Sequence, residues 1–208
     1  MSTYPFLRKN LFSIFMVALV ATLLFVPDAK AFLLKGLLKT GIFNARTKKI
    51  DPLQQTAVSI SFVDSNGQHV NTGDLKGKCI FINFWATWCP PCIAEMGSIN
   101  ALYNKLKKDD RFVFIAADAD NNLVQSIAFM KKHGYSLPVY SIAGIPPGNL
   151  FNGVLPTTLI IDTRGTLAQQ HEGIANYDTE KMITFLKGLL RDSPLAITET
   201  HSGANSTK

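Results

Sequence analysis

The sequence predicts an α/β domain, a central mixed β-sheet flanked by helices. Three observations carry that expectation. Cys79 to Trp85 (CIFINFW) is almost uninterrupted apolar sequence, the pattern of a strand covered on both faces. Pro90-Pro91 follows, and Met96, Ile99, Leu102, Tyr103 and Leu106 then recur at helical spacing. The elements after the first fifty residues read in the order β–β–β–α–β–α–β–β–α, which implies helices on both faces of the sheet. A chain of 208 residues, 47% hydrophobic and 17% charged, is long enough for one such core and excludes global disorder.

Taken in order, Val58 to Val63 alternates like a strand, and Asp64-Ser65-Asn66-Gly67 is a hairpin turn into Gln68-His69-Val70. Asp74-Leu75-Lys76-Gly77 turns the chain into the central run. Proline is tolerated in the first turn of a helix, where its missing N–H costs nothing, so Pro90 and Pro91 suit a helix start. Phe112 to Ala117 is the next strand, and Leu123 to Lys132 a helix closed by His133-Gly134. Leu137 to Ile142 reads as a short strand, and Ala143 to Leu155 as a Gly/Pro-rich loop. Its segment Gly144 to Phe151 is apolar enough to shape substrate choice or to serve as a plain connection. Thr157 to Asp162 and Leu167 to His171 pair across Thr163-Arg164-Gly165. Asp178 is placed to cap a last helix to about Leu190, with Met182, Phe185, Leu186 and Leu189 on one face.

Residues 1–31 read as an address, a signal peptide or signal anchor. Arg8 and Lys9 precede a run from Leu11 to Val26 in which only Ser13 and Thr22 are polar, and Ala29-Lys30-Ala31 has the small-x-small pattern of a cleavage site. The run is slightly long for a signal core and slightly short for a membrane span, so cleavage and retention are both open. Either sends the rest of the chain out of the cytoplasm. That places it in the periplasm or on the outer side of the inner membrane. Residues 32–56 form a linker whose apolar part, Phe32 to Phe43, has the make-up either of an amphipathic surface segment or of an ordinary packing segment. Residues 57–190 are the folded domain and 191–208 a polar, disordered tail.

Lys+Arg exceed Asp+Glu by 21 − 15, or +6, but no arginine-rich stripe appears, which argues against nucleic acid. Three cysteines are too few for a disulfide-stapled mini-fold. Two of them stand as Cys89-Pro90-Pro91-Cys92 at the predicted strand-to-helix junction. Cys89 lies where unpaired N–H groups and the helix dipole favour an anion, so its thiolate is favoured. It can attack a disulfide, and Cys92, one turn on, can displace what Cys89 has captured. Zinc needs about four ligands, and His69, His133, His171 and His201 lack ligand spacing, so no metal or other cofactor is expected. A Cu(I)-binding chaperone module using the two thiolates is the reading from a different class. Cys79, at the start of the central strand, reads as core. So does Trp85, whereas Trp88 suits an exposed rim.

Phe84-Trp85-Ala86-Thr87-Trp88-Cys89-Pro90-Pro91-Cys92 resembles the active-site signature of the thioredoxin superfamily, most of all its exported TlpA/ResA-type thiol–disulfide oxidoreductases. The resemblance covers roughly residues 57–190. It implies a thioredoxin-like fold with an N-terminal β-hairpin extension. It also implies a cis bond before Pro156, which would let Leu155 offer its backbone to an extended substrate beside Trp88 and Pro90. Glu95, three residues past Cys92, matches the family's glutamate and would move the Cys92 proton if desolvated; a solvated helix glutamate is the alternative. Two departures stand out. Asn83 occupies the place of the buried aspartate of many thioredoxins, and Gly97 that of a helix-kinking proline. The implied function is reduction of disulfides in exported proteins, with electrons from a membrane donor protein. Dithiol oxidase and thiol peroxidase are the alternative directions.

Overall fold

The computed structural model describes residues 4–25, 34, 36, 38 and 57–191. The expected cleavage site, most of the linker and the tail lie outside these residues. A first helix, α1 (Tyr4–Phe25), carries the apolar run, and its side chains at Leu11, Phe12, Ile14, Phe15 and Val17 are exposed. Among the described residues, no helix is long and apolar enough to cross a membrane.

The domain holds β1 (Ser61–Val63), β2 (His69–Asn71), β3 (Cys79–Trp85), α2 (Pro90–Leu106), β4 (Phe112–Asp118) and α3 (Leu123–Lys132). β5 (Val139–Ala143), β6 (Thr157–Ile161), β7 (Leu167–Glu172) and α4 (Glu180–Arg191) complete it. The strands form one sheet in the order β2-β1-β5-β4-β3-β6-β7. β3 runs parallel to β4, and β4 to β5, while β6 lies antiparallel to β3 on its other side. The sheet is therefore mixed, as expected, and β3 sits inside it with every residue buried. β1 and β2 pair antiparallel through the Asn66-Gly67 turn, where Gly67 takes φ +79°, a backbone region that costs glycine nothing.

The helices differ from expectation. Buried residues of α2 (Met96, Ile99, Leu102), α3 (Met130) and α4 (Met182, Leu186) join one core with Phe81, Trp85 and Phe114. The opposite face, with Ile80, Ile82, Phe84, Ile115 and Leu159, is covered by Val58, Ile60 and Phe62 and by Leu150 of the loop after β5. Among the described residues no α-helix contributes to this second face. The reason is topological. β3, β4 and β5 are adjacent, parallel and ordered in one direction, and right-handed crossovers then place α2 and α3 on the same side. The Gly/Pro-rich loop takes a helix's place opposite, held by Phe151 stacked on Phe84 at 4.1 Å between ring centroids.

Smaller differences are local. The cap of α4 is Thr179, whose Oγ1 accepts from Met182 N at 3.1 Å, and not Asp178. Asp178 instead accepts from Lys105 Nζ at 2.6 Å. Leu38 is buried against Ile93 and Ala94 of α2 with Leu34 beside it, so the described part of the 32–43 segment packs on the domain. α2 continues through Gly97, where an added Cβ would come within 3.3 Å of Tyr135 Oη.

Candidate active site

The parallel strands β3, β4 and β5 end together at Trp85, Asp118 and Ala143, and antiparallel β6 begins at that same end with Thr157 opposite Phe84. Four connections therefore meet there: the Ala86–Cys89 turn, the turn after Asp118, the loop from Gly144, and Leu155-Pro156. Phe84 and Thr157, 157 − 84 = 73 residues apart in sequence, become neighbours through strand pairing alone.

Cys89 is the N-cap of α2, with extended backbone (φ −87°, ψ 105°), and its Sγ accepts from Cys92 N at 3.3 Å. The two cysteines form a disulfide with Cα atoms 5.3 Å apart. Cys89 is 3% exposed and Cys92 fully buried, so an incoming thiol meets Cys89 first. When the disulfide is open, a Cys89 thiolate sits where the first amides of the helix point, which favours the anion. Pro90 and Pro91 fill the first two helical positions without losing an N–H that the helix uses.

Trp88 is 58% exposed, and its Nε1 donates to Asp120 Oδ2 at 2.6 Å. Asp118 shapes the turn that presents Asp120 by accepting from the backbone N of Asp120 and Asn122. Trp85 is fully buried. The Leu155–Pro156 peptide is cis; Leu155 is half-buried, Pro156 buried, and Pro156 O accepts from Gly173 N at 2.8 Å. Cys79 is buried at the far end of β3, and burial pushes its thiol up to about 12. It is remote from the exchange pair along the strand.

Glu95 is fully buried rather than solvated. Its Oε1 accepts from Asn83 Nδ2 at 2.8 Å and its Oε2 from Ala175 N at 3.0 Å. Burial pushes the carboxyl up to about 8, while the bonds from Ala175 and Asn83 pull the other way. Asn83 also donates to Thr158 Oγ1 at 3.0 Å. Tyr177, fully buried, is held well above its usual value by burial first and the Glu95 charge second, so its phenol stays neutral. Reading the sequence overlooked Asn83 and Ala175 as partners of Glu95, and Thr158 as the partner of Asn83. The one available signal was an asparagine inside an otherwise apolar strand. Among the described residues, no group of three or more His, Cys, Asp or Glu is placed to hold a metal ion.

A pair of cysteines bonded to each other at a strand-to-helix junction can carry out thiol–disulfide exchange. The model of the Redoxin family matches residues 51–183. The chain belongs to the redoxin family. This redoxin is 39% identical over 108 residues to the thiol-disulfide oxidoreductase ResA of Bacillus thuringiensis, covering 51% of this chain and 62% of that protein. It thus spans about three fifths of that relative's length. With the ResA of Halalkalibacterium halodurans it shares 30% identity over 139 residues, 66% of this chain and 76% of the relative. Among solved structures, the redoxin resembles a thiol:disulfide interchange protein of the thioredoxin family from Chlorobium tepidum. The TM-score is 0.51 and the identity 26%, over 71% of this chain and 99% of that one. The thioredoxin-like fold expected from the active-site signature is thereby established.

Proposed function

We propose that this chain is an exported thiol–disulfide oxidoreductase that reduces disulfides of extracytoplasmic proteins. The observation that carries the reading is Cys89 capping α2 with its sulfur on the Cys92 amide and bonded to the Cys92 sulfur. In the reduced protein the Cys89 thiolate attacks one sulfur of a substrate disulfide, forming a mixed disulfide and expelling one substrate thiolate. Cys92 then loses its proton and attacks Cys89 Sγ. The Cys89–Cys92 bond closes, the second substrate thiolate leaves, and two electrons have passed to the substrate.

Glu95 is the proton carrier for Cys92. It lies one helical turn on, buried, with a carboxyl titrating near neutrality at about 8. Its carboxylate takes the Cys92 proton as the disulfide closes. Its protonated form returns that proton when a donor opens the disulfide and Cys92 leaves. Trp88, Pro90, Leu155 and Pro156 form the rim that an extended substrate segment meets, with the Leu155 backbone available for strand-like pairing.

Each turnover leaves the protein oxidised, so a membrane donor protein must reduce it again in a compartment without a thiol buffer. The apolar α1, with Arg8 and Lys9 near its start, serves as the export signal. Nucleic acid is no partner, and the chemistry needs no cofactor beyond the two sulfurs.

The test is trapping. Cys92→Ser, expressed in the exported full chain, should accumulate covalent complexes with client proteins that dissolve on adding a reductant, and Cys89→Ser should accumulate none. Wild-type activity alongside an untrapped Cys92→Ser protein would reverse the assigned order of the two sulfurs.

A further inference from the structure

We propose that Asn83 is the positioning residue for Glu95, holding its carboxyl in the one orientation from which it exchanges a proton with Cys92. The inference rests on the proton role just assigned to Glu95 and goes beyond it to the residue that makes that role possible.

Asn83 stands in the middle of the central strand, where its neighbours Ile82 and Phe84 are apolar and fully buried. A carboxamide in such a place is costly unless its hydrogens are used. Both are. One bonds Glu95 Oε1 at 2.8 Å and the other Thr158 Oγ1 at 3.0 Å, while Oδ1 has no hydrogen-bond partner. The amide is therefore oriented by what its nitrogen donates to, and its acceptor is left unsatisfied. The core retains a net polar cost here, which an apolar residue would avoid.

What the arrangement achieves is a clamp. Glu95 comes from α2, one of its oxygens is held by β3 through Asn83, and the other is held by Ala175 in the connection after β7. Thr158, two residues past the cis-proline on β6, anchors the clamp from the opposite side. The carboxyl cannot turn without breaking a bond to one of these elements.

Asparagine also suits the task better than aspartate would. A second carboxyl at 2.8 Å from Glu95 would share and split its titration. With asparagine, Glu95 is the single carboxyl in the cluster. The other titratable group about it is the Tyr177 phenol, from the connection after β7, and on its own helix Cys92 stands one turn before it. From β3 it meets Asn83, which is held in turn by Thr158 of β6, and neither titrates.

The test uses the reduced full chain and 5,5′-dithiobis(2-nitrobenzoate). One thionitrobenzoate is released when Cys89 attacks and a second when Cys92 closes the disulfide, so the second phase reads the step that Glu95 serves. The phase is followed from pH 5.5 to 10. Asn83→Leu keeps the shape and removes the donor. It should slow the second phase about tenfold at pH 7 and move its inflection up by about one pH unit, because the carboxylate loses a bond that favours it. In a Glu95→Gln background the same substitution should change the phase less than twofold.

Equal slowing in both backgrounds, or an unmoved inflection, would overturn the proposal while leaving the role of Glu95 intact. A Glu95→Gln profile identical to the wild type would overturn the role itself, and the proposal with it. Should Asn83→Leu fail to fold, Thr158→Val decides. It removes the anchor of Asn83 without touching Glu95, and it should shift the inflection upward by a smaller amount. No shift there would count against the clamp.

Discussion

Replacing Glu95 with glutamine should flatten the pH dependence of stability of the oxidised protein. Glu95 is fully buried and its carboxyl is pushed from 4.5 up to about 8. Between these values the folded protein keeps a proton that the unfolded chain has released. Linkage then fixes the sign: the contribution is fully present below pH 4.5, declines as pH rises, and is gone above pH 8. With ~1.4 kcal/mol per pH unit in that window, the wild type should lose on the order of 3 kcal/mol between pH 5 and 8.

Glutamine cannot titrate, so the variant should be nearly level over the same range. A constant offset from its altered hydrogen bonds does not affect the slope. The other shifted groups stay out of the window. The carboxyls of Asp64, Asp109 and Asp162 are held below their usual range, and the Cys79 thiol is pushed up to about 12. Urea unfolding of both oxidised proteins at pH 5, 6, 7 and 8 measures the effect directly. The wild-type midpoint should fall by roughly 2 M more than that of the variant. Parallel curves for the two proteins would refute the argument, because they would mean that Glu95 reaches water or is already ionised in the fold.

Two further outcomes are expected. Phe151→Ala removes the ring stacked on Phe84 and with it the anchor of the loop that covers the helix-free face; unfolding experiments should show a loss of about 2 kcal/mol, and unchanged stability would mean the loop is held by something else. In the native reduced protein 5,5′-dithiobis(2-nitrobenzoate) should release two thionitrobenzoates, one from attack by Cys89 and one as Cys92 closes the disulfide, and a third, from Cys79, only after adding denaturant; three released without denaturant would place Cys79 at the surface.

Much of this molecule is written locally. A strand buried on both faces must be apolar throughout, a helix entered through Pro90-Pro91 must start beside Cys89, and a turn through Gly67 must follow Asn66. Each of these depends on neighbours a few residues away, so the strands, the helices and the position of the two sulfurs at a helix start were legible in the chain. Burial of Glu95 was not. Its spacing from Cys92 is equally compatible with a solvated face, and the Ala175 amide that meets it comes from 80 residues further on. Asn83 stands where many thioredoxins have an aspartate, yet its use here is to donate hydrogen bonds, and its acceptors lie on α2 and β6.

Helix placement was misjudged for a related reason. The order of elements says that helices lie between strands but not which strands become neighbours, and adjacency together with handedness decides which face each helix covers. Asp178 and Thr179 are both plausible caps by residue type, and the choice fell to Thr179 because Lys105 of a different helix engages Asp178. Identity of the reacting atoms is thus a local property of this chain. Their environment is not, since burial and hydrogen-bond partners are supplied by segments that only the closed sheet brings together.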